Sequence, residues 1–172
     1  GGAGIAVMLD GQAVDVSGRA LSAASFRALG VQPVLGRAYT EAEDYGGRTD
    51  VVVISHEFWQ SRLGGRTDVV GSTLATADGP RTVLGVMPPA FTVLGEPADF
   101  YVPYSQTLEE MRATRGRGGS YAIARLRDGV SFEQAYAEMR TIYAALEREV
   151  PQRNANRTVM LFGLHEQMTG EL

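Results

Sequence analysis

The residues best suited to chemistry are two histidines, a group of acids, a few serines and a band of arginines. His56-Glu57 and His165-Glu166 are the only histidine–glutamate steps in the 172 residues. Neither continues into the second histidine of H-E-x-x-H, where two imidazoles one turn apart grip zinc and the glutamate acts as base. A metal site joining the two histidines would rest on tertiary proximity alone. His56 reads as an exposed residue at the start of a helix, and His165 as part of a linker after the last strand. Glu41, Glu43, Asp44 and Glu57 are numerous enough for an acid–base pair. Their spacing assigns no counterparts, so they read as solvated loop acids. Ser55 and Ser120 lack the G-x-S-x-G setting of a strained nucleophile turn. With no cysteine there is no thiolate nucleophile, disulfide or cysteine-held metal. No catalytic, metal-binding or cofactor-binding residue is assigned.

The segment GGRTDVV occurs twice, at residues 46–52 and 64–70. Glycine pairs suggest a phosphate cradle, but a Walker loop needs lysine and then serine or threonine, and here Arg48 and Arg66 follow. The dinucleotide pattern G-x-G-x-x-G is absent from both copies. Both read as turns, the first entering a strand and the second leaving a helix, with an anion site at the Ser55 helix start as the alternative. Arg112, Arg115, Arg117, Arg125 and Arg127 form the one notable charge cluster. Residues 108–127 hold five arginines and two glutamates, a local excess of +3 in a chain of net charge −4. Arg112, Arg115 and Arg117 are the candidate contacts to an acidic protein surface or lipid headgroups. Nucleic acid is disfavoured, since no aromatic residues interleave with these arginines as a stacking platform.

The elements that would position these residues follow from pattern. Hydrophobic residues make up 44 % of the chain, and its 21 glycines imply many turns. Ile5–Leu9 and Ala13–Val16 read as a hairpin around Asp10-Gly11. Ser22 would cap a short helix ended by Gly30, and Thr40 with Glu43 a capping box over one turn. Val51–Ile54 reads as a buried strand. Ser55 then caps a helix carrying Phe58, Trp59 and Leu63 toward the core, stopped by Gly64-Gly65. Ser72–Ala77 and Arg81–Met87 form a hairpin around Asp78-Gly79. Phe91–Leu94 and Asp99–Tyr104 read as extended, and Thr107–Ala113 as a short helix. Tyr121–Leu126 reads as a strand. A helix capped by Ser131 and Gln134 follows, its apolar face (Phe132, Ala135, Tyr136, Met139, Ile142, Tyr143, Leu146, Val150) in the core, and ends before Pro151. After a polar loop over 153–157, Thr158–Leu164 reads as a last strand. Strand, helix, strand resembles half of a ferredoxin-like unit. The expected class is α+β with two lobes. No stretch approaches the 18 apolar residues of a bilayer span, and the first residues carry no signal-peptide pattern.

The run VVVISHEFWQSRLGG, followed by DVVGSTLATADGPRTVLGVMPPAF, resembles the extracytoplasmic core domain of MacB/FtsX-like permeases of the ABC transporter superfamily. VSGRALSAASFRALGVQPVLGRAYTEAED upstream and DFYVPYS and YAIARLRDGVSFEQAYAEMRTIYAALEREV downstream fit the same pattern, from about residue 16 to the end. The resemblance implies one such domain over 1–172. One lobe would span about 1–46 plus 119–172, a strand-helix-strand lobe, with a mainly β lobe inserted over 47–118. It implies a non-catalytic domain on the extracytoplasmic face of the membrane, periplasmic in a diderm. There it would couple a cytoplasmic ATPase domain or subunit to export, lipoprotein handling or signalling through an envelope partner, in a permease that pairs. The alternative is a cell-envelope module binding a small ligand without a motor, which requires a concave pocket.

Overall fold

A computed structural model describes residues 2–9, 11–104, 109–110, 122–154 and 158–164. They divide into two units, Gly1–Met111 and Arg112–Leu172. The class is α+β, as expected.

The first unit is built on seven strands: β1 (Gly2–Leu9), β2 (Gln12–Ala20), β3 (Leu35–Gly36), β4 (Val51–Ile54), β5 (Thr73–Thr76), β6 (Gly79–Val86) and β7 (Phe100–Val102). Between them lie α1 (Ala23–Leu29), α2 (Glu41–Tyr45), α3 (His56–Leu63) and a 3-10 turn (Thr67–Val69). The strand order is β3-β6-β4-β7-β2-β1-β5, and β5 also pairs with β6. That last pairing closes β1, β2, β7, β4, β6 and β5 into a ring, with β3 beside the far end of β6. The β2–β7 and β4–β6 pairs are parallel, and the others are antiparallel.

Alternation sends one face of each strand into the ring. Val7, Val16, Val52, Ile54, Leu74, Val83, Val86 and Phe100 fill it, joined by Phe58 of α3 and Val69 of the 3-10 turn. A bulge makes this register work. Val52 pairs with Val83 and Val53 with Gly85, leaving Leu84 as the extra residue. Val83 and Val86, three apart, thereby both reach the interior. Close approach fixes glycine at the β3–β6 contact, where Gly36 pairs with Gly85. A Cβ on Gly85 would stand 2.6 Å from the Arg37 carbonyl oxygen and 2.8 Å from that of Leu35.

Val51–Ile54 is buried at every position because the ring also has a covered outer side. Val53 lies in register with Tyr101. Tyr101 packs edge-on against Phe91, ring centroids 5.2 Å apart, and against Phe26 of α1 at 6.5 Å. Phe26 in turn meets Tyr39 edge-on at 5.3 Å. The Tyr39 hydroxyl donates to the carbonyls of Leu21 and Val102.

Helix ends follow the sequence closely, with one substitution. Thr40 and Glu43 form their capping box, the Ser55 hydroxyl accepts the Phe58 N–H at 3.0 Å, and Gly30 ends α1 at φ 70°. Ser22 sits at the N-cap of α1, yet its side chain makes no cap bond and meets the Ser25 hydroxyl instead, at 2.8 Å. Asp44 of α2 takes the role. Its carboxylate, 1 % exposed, accepts the Ala23 N–H at 2.9 Å and the Tyr104 N–H at 2.8 Å. Asp44 is therefore no solvated loop acid. It stabilises α1 by charge at a helix N-terminus and ties that end to the exit of β7.

In the second unit, α4 (Phe132–Glu149) opens on the Ser131–Gln134 capping box and has no buried residue among those described. Phe132, Met139 and Ile142 are exposed, which corrects their expected place in a core. Pro151 stops α4 as expected and also opens a further turn, α5 (Pro151–Asn154), since its fixed φ suits a first helical position. Residues 122–127 and 158–163 adopt no strand. Their alternating pattern has no neighbouring ladder among the described residues, and a strand exists only through its pairing.

Replacing Asp44 by Ala is expected to lower the unfolding free energy by about 3 kcal/mol, since the buried Ala23 N–H and the part-buried Tyr104 N–H each lose a partner at about 1–3 kcal/mol. Asp44→Asn should cost roughly half as much, one carbonyl serving one donor. Urea unfolding followed by the fluorescence of Trp59, the sole tryptophan, measures both.

Candidate functional site

Each acid that the sequence offered for chemistry is held by a structural partner. Glu41 pairs with Arg27. Glu43 accepts from both terminal nitrogens of Arg37 at 2.8 Å and from the Thr40 N–H at 2.8 Å, and Arg48 stands 3.8 Å away. The Arg37 hydrogen bonds are the main cause holding the Glu43 carboxyl down at about 2. Glu57 accepts the Ala90 N–H at 3.0 Å, which keeps it below the usual glutamate range. Among the described residues Ala90 is one of two non-glycine residues in the left-handed region, at φ 58°. Burial pushes the Tyr101 hydroxyl up to about 12 and raises that of Tyr39 further, so neither is placed to exchange protons near neutrality. Committed in this way, these groups brace loops and helix ends and stand ready for no proton transfer.

His56 stacks edge-on against Trp59, ring centroids 5.3 Å apart, and His165 lies outside the described residues. Among the described residues no group of three or more histidines or acids could hold a metal. The Ser55 hydroxyl is buried and serves its own helix. Ser120 lies outside the described residues.

Both GGRTDVV copies follow a helix, and the first then enters β4 as expected. Gly46 caps α2 and Gly64 caps α3 at φ 66°. Each copy then forms the same local ion pair, Arg48 with Asp50 and Arg66 with Asp68. After that they diverge. Val51 and Val52 enter β4, whereas residues 67–69 wind into the 3-10 turn. Trp59 marks the second copy by donating its indole N–H to the Arg66 carbonyl at 2.9 Å. It is half-buried against the ring's core, while Phe58 is fully buried. These are turns with arginine–aspartate braces, and their nitrogen atoms serve the fold.

The hollow within the ring, lined by Val7, Val52, Leu74, Thr76, Arg81 and Phe100, leaves no room for a water molecule. A small ligand therefore has no place in that hollow. Arg112, Arg115 and Arg117 lie outside the described residues. On either side of them Glu109, Glu110, Arg125 and Arg127 are exposed. Pattern reading missed Tyr39 and Arg81 and took Asp44 for a solvated acid; all three are buried residues whose partners lie far away in sequence.

Comparison with known proteins agrees with this geometry. Residues 3–142 match the family model described as the MacB-like periplasmic core domain. No curated protein matches the chain. Among solved structures, the chain resembles the periplasmic region of MacB from Actinobacillus actinomycetemcomitans, with TM-score 0.62 and 17 % identity over 92 % of this chain and 74 % of that one. It also resembles the extracellular domain of the noncanonic ABC-type transporter YknZ from Gram-positive bacteria, with TM-score 0.59 and 14 % identity over 90 % and 75 %. A domain assigned to a permease of Porphyromonas gingivalis gives TM-score 0.57 and 16 % identity over 98 % and 78 %.

Glu43 supplies a pH test. Its carboxyl is depressed from 4.5 to about 2, so its stabilising effect is complete above the unfolded value and fades as pH falls from 4.5 toward 2. Glu43→Gln is expected to lower the unfolding midpoint at pH 7, and the gap from the unaltered chain should close by about pH 2.

Proposed function

The chain belongs to the MacB-like periplasmic core domain family, and from that premise we propose that it is the non-catalytic extracytoplasmic body of an ABC-type permease. In this reading a cytoplasmic ATPase, fused or separate, drives motion that the domain passes to partners in the envelope for export, lipoprotein handling or signalling. The family match over residues 3–142 carries the proposal. The barrel supports it physically. Closed strand pairing and a filled interior resist deformation, so displacement at one end is transmitted as a rigid-body movement. No helix among the described residues is long and apolar enough to cross a membrane. Membrane attachment would therefore come from other segments of the permease, which we expect to act as a pair.

Two finer points belong to the same proposal. The lobes are proposed to divide at about 1–46 plus 119–172, and 47–118, with the β1–β2 hairpin pairing across that boundary to β5 and β7. Arg112, Arg115 and Arg117 provide the contact to an acidic partner surface or to headgroups, on the strength of the local excess of positive charge.

In the full-length permease, reversing all three arginines to glutamate is expected to weaken partner capture at least tenfold at low salt, with the difference shrinking as salt rises. Unchanged capture and transport would remove these residues from the contact. Saturable binding of a small molecule by this chain alone, with transport unaffected by its removal, would replace the permease reading by a ligand-binding module.

A further inference from the structure

Among the described residues the ring encloses one charged side chain. Arg81 is 9 % exposed and faces the interior beside Leu74, its register partner on β5. One terminal nitrogen donates to the Thr49 carbonyl, which lies two residues before β4 starts. Its Nε is buried with no hydrogen-bond partner, and the hollow beside it admits no water. The other terminal nitrogen lies 4.0 Å from the Asp78 carboxylate, within ion-pair range but beyond hydrogen-bond distance. Nε and that nitrogen together form the edge of a guanidinium that takes a carboxylate in two parallel bonds.

A buried charged donor without an acceptor costs more than an ordinary lost hydrogen bond. The acceptor that would satisfy it stands nearby on a pliant support. Asp78 lies in the β5–β6 turn with its side chain 64 % exposed. The next residue, Gly79, adopts φ 117° with nothing within 4 Å of where a Cβ would stand. Thr76 holds only the far side of the turn, through its hydroxyl to the Gly79 carbonyl at 2.6 Å.

We infer that the β5–β6 turn is a latch with two positions. In the open one, described here, Arg81 hydrogen-bonds the Thr49 carbonyl and stands 4.0 Å from the Asp78 carboxylate, with Nε unpaired. In the closed one the Asp78 carboxylate moves in and accepts from Nε and the adjacent terminal nitrogen together. Because the same guanidinium grips Thr49, closing the latch joins the hairpin turn to the root of β4 and seals that end of the barrel.

A double-mutant cycle tests this on the chain, with urea unfolding read by Trp59 fluorescence. Asp78→Ala should lower the folded-to-unfolded ratio about fivefold when Arg81 is present and leave it unchanged in an Arg81→Met background, a coupling typical of groups in direct contact. An equal effect in both backgrounds overturns the latch. Should Arg81→Met fail to fold, solvent exchange of the Arg81 Nε proton decides by NMR. Exchange at least tenfold faster in Asp78→Ala than in the unaltered chain supports the latch, and equal rates overturn it.

Discussion

The closure of the sheet on β6 is the constraint from which the rest of the first unit follows. β6 is paired along both edges, with β4 on one side and β5 then β3 on the other. Such closure leaves the ring without an open edge over the paired segments, and it fixes which side chains face in. The bulge at Leu84 is part of that constraint. Without it, Val86 would fall out of phase with Ile54 and one layer of the interior would lose its filling. The glycines at 36 and 85 belong to it as well, because β3 can lie against β6 only where both backbones are bare.

Beside the packing of Phe26 on Tyr101, polar bonds hold α1 and α2 to this ring. Tyr39 reaches Leu21 and Val102 together, and Asp44 reaches Ala23 and Tyr104. Each therefore ties the entry to α1 to the end of β7, across some eighty residues of sequence. Asp99 makes a similar tie at the other end of β7, accepting the Ser17 N–H at 2.7 Å while its own carbonyl accepts that of Ser55 at 2.8 Å. The surface acids and arginines brace the same loops from outside. This distribution explains why so many chemically able side chains among the described residues are committed to the fold.

How far the sequence could show this depended on range. Local signals were legible: the β-branched run Val51–Ile54, the capping boxes at Thr40 and Ser131, the Ser55 cap and the glycine stops at 30 and 64. The order of motifs also pointed to the family. Pairing between distant segments was not legible. Nothing near Gln12–Ala20 announces a parallel partner at Phe100–Val102. Asp44 looks like its exposed neighbours until α1 arrives beside it, and Ser22 carries the better local cap signal. In the second unit, alternation in Tyr121–Leu126 and Thr158–Leu164 suggested strands, and amphipathicity in α4 suggested a core. Both patterns state a preference that needs a neighbouring layer to be realised.

The central claim is that this domain stands outside the cytoplasm as part of a permease. The chain contains no cysteine, so one introduced thiol can report its position. Ala75, exposed on the barrel exterior, is a suitable site in a full-length protein otherwise free of cysteine. A membrane-impermeant maleimide applied to intact cells should label Ala75→Cys to the same extent as after lysis. Labelling that appears only once the cytoplasmic membrane is broken would contradict the account.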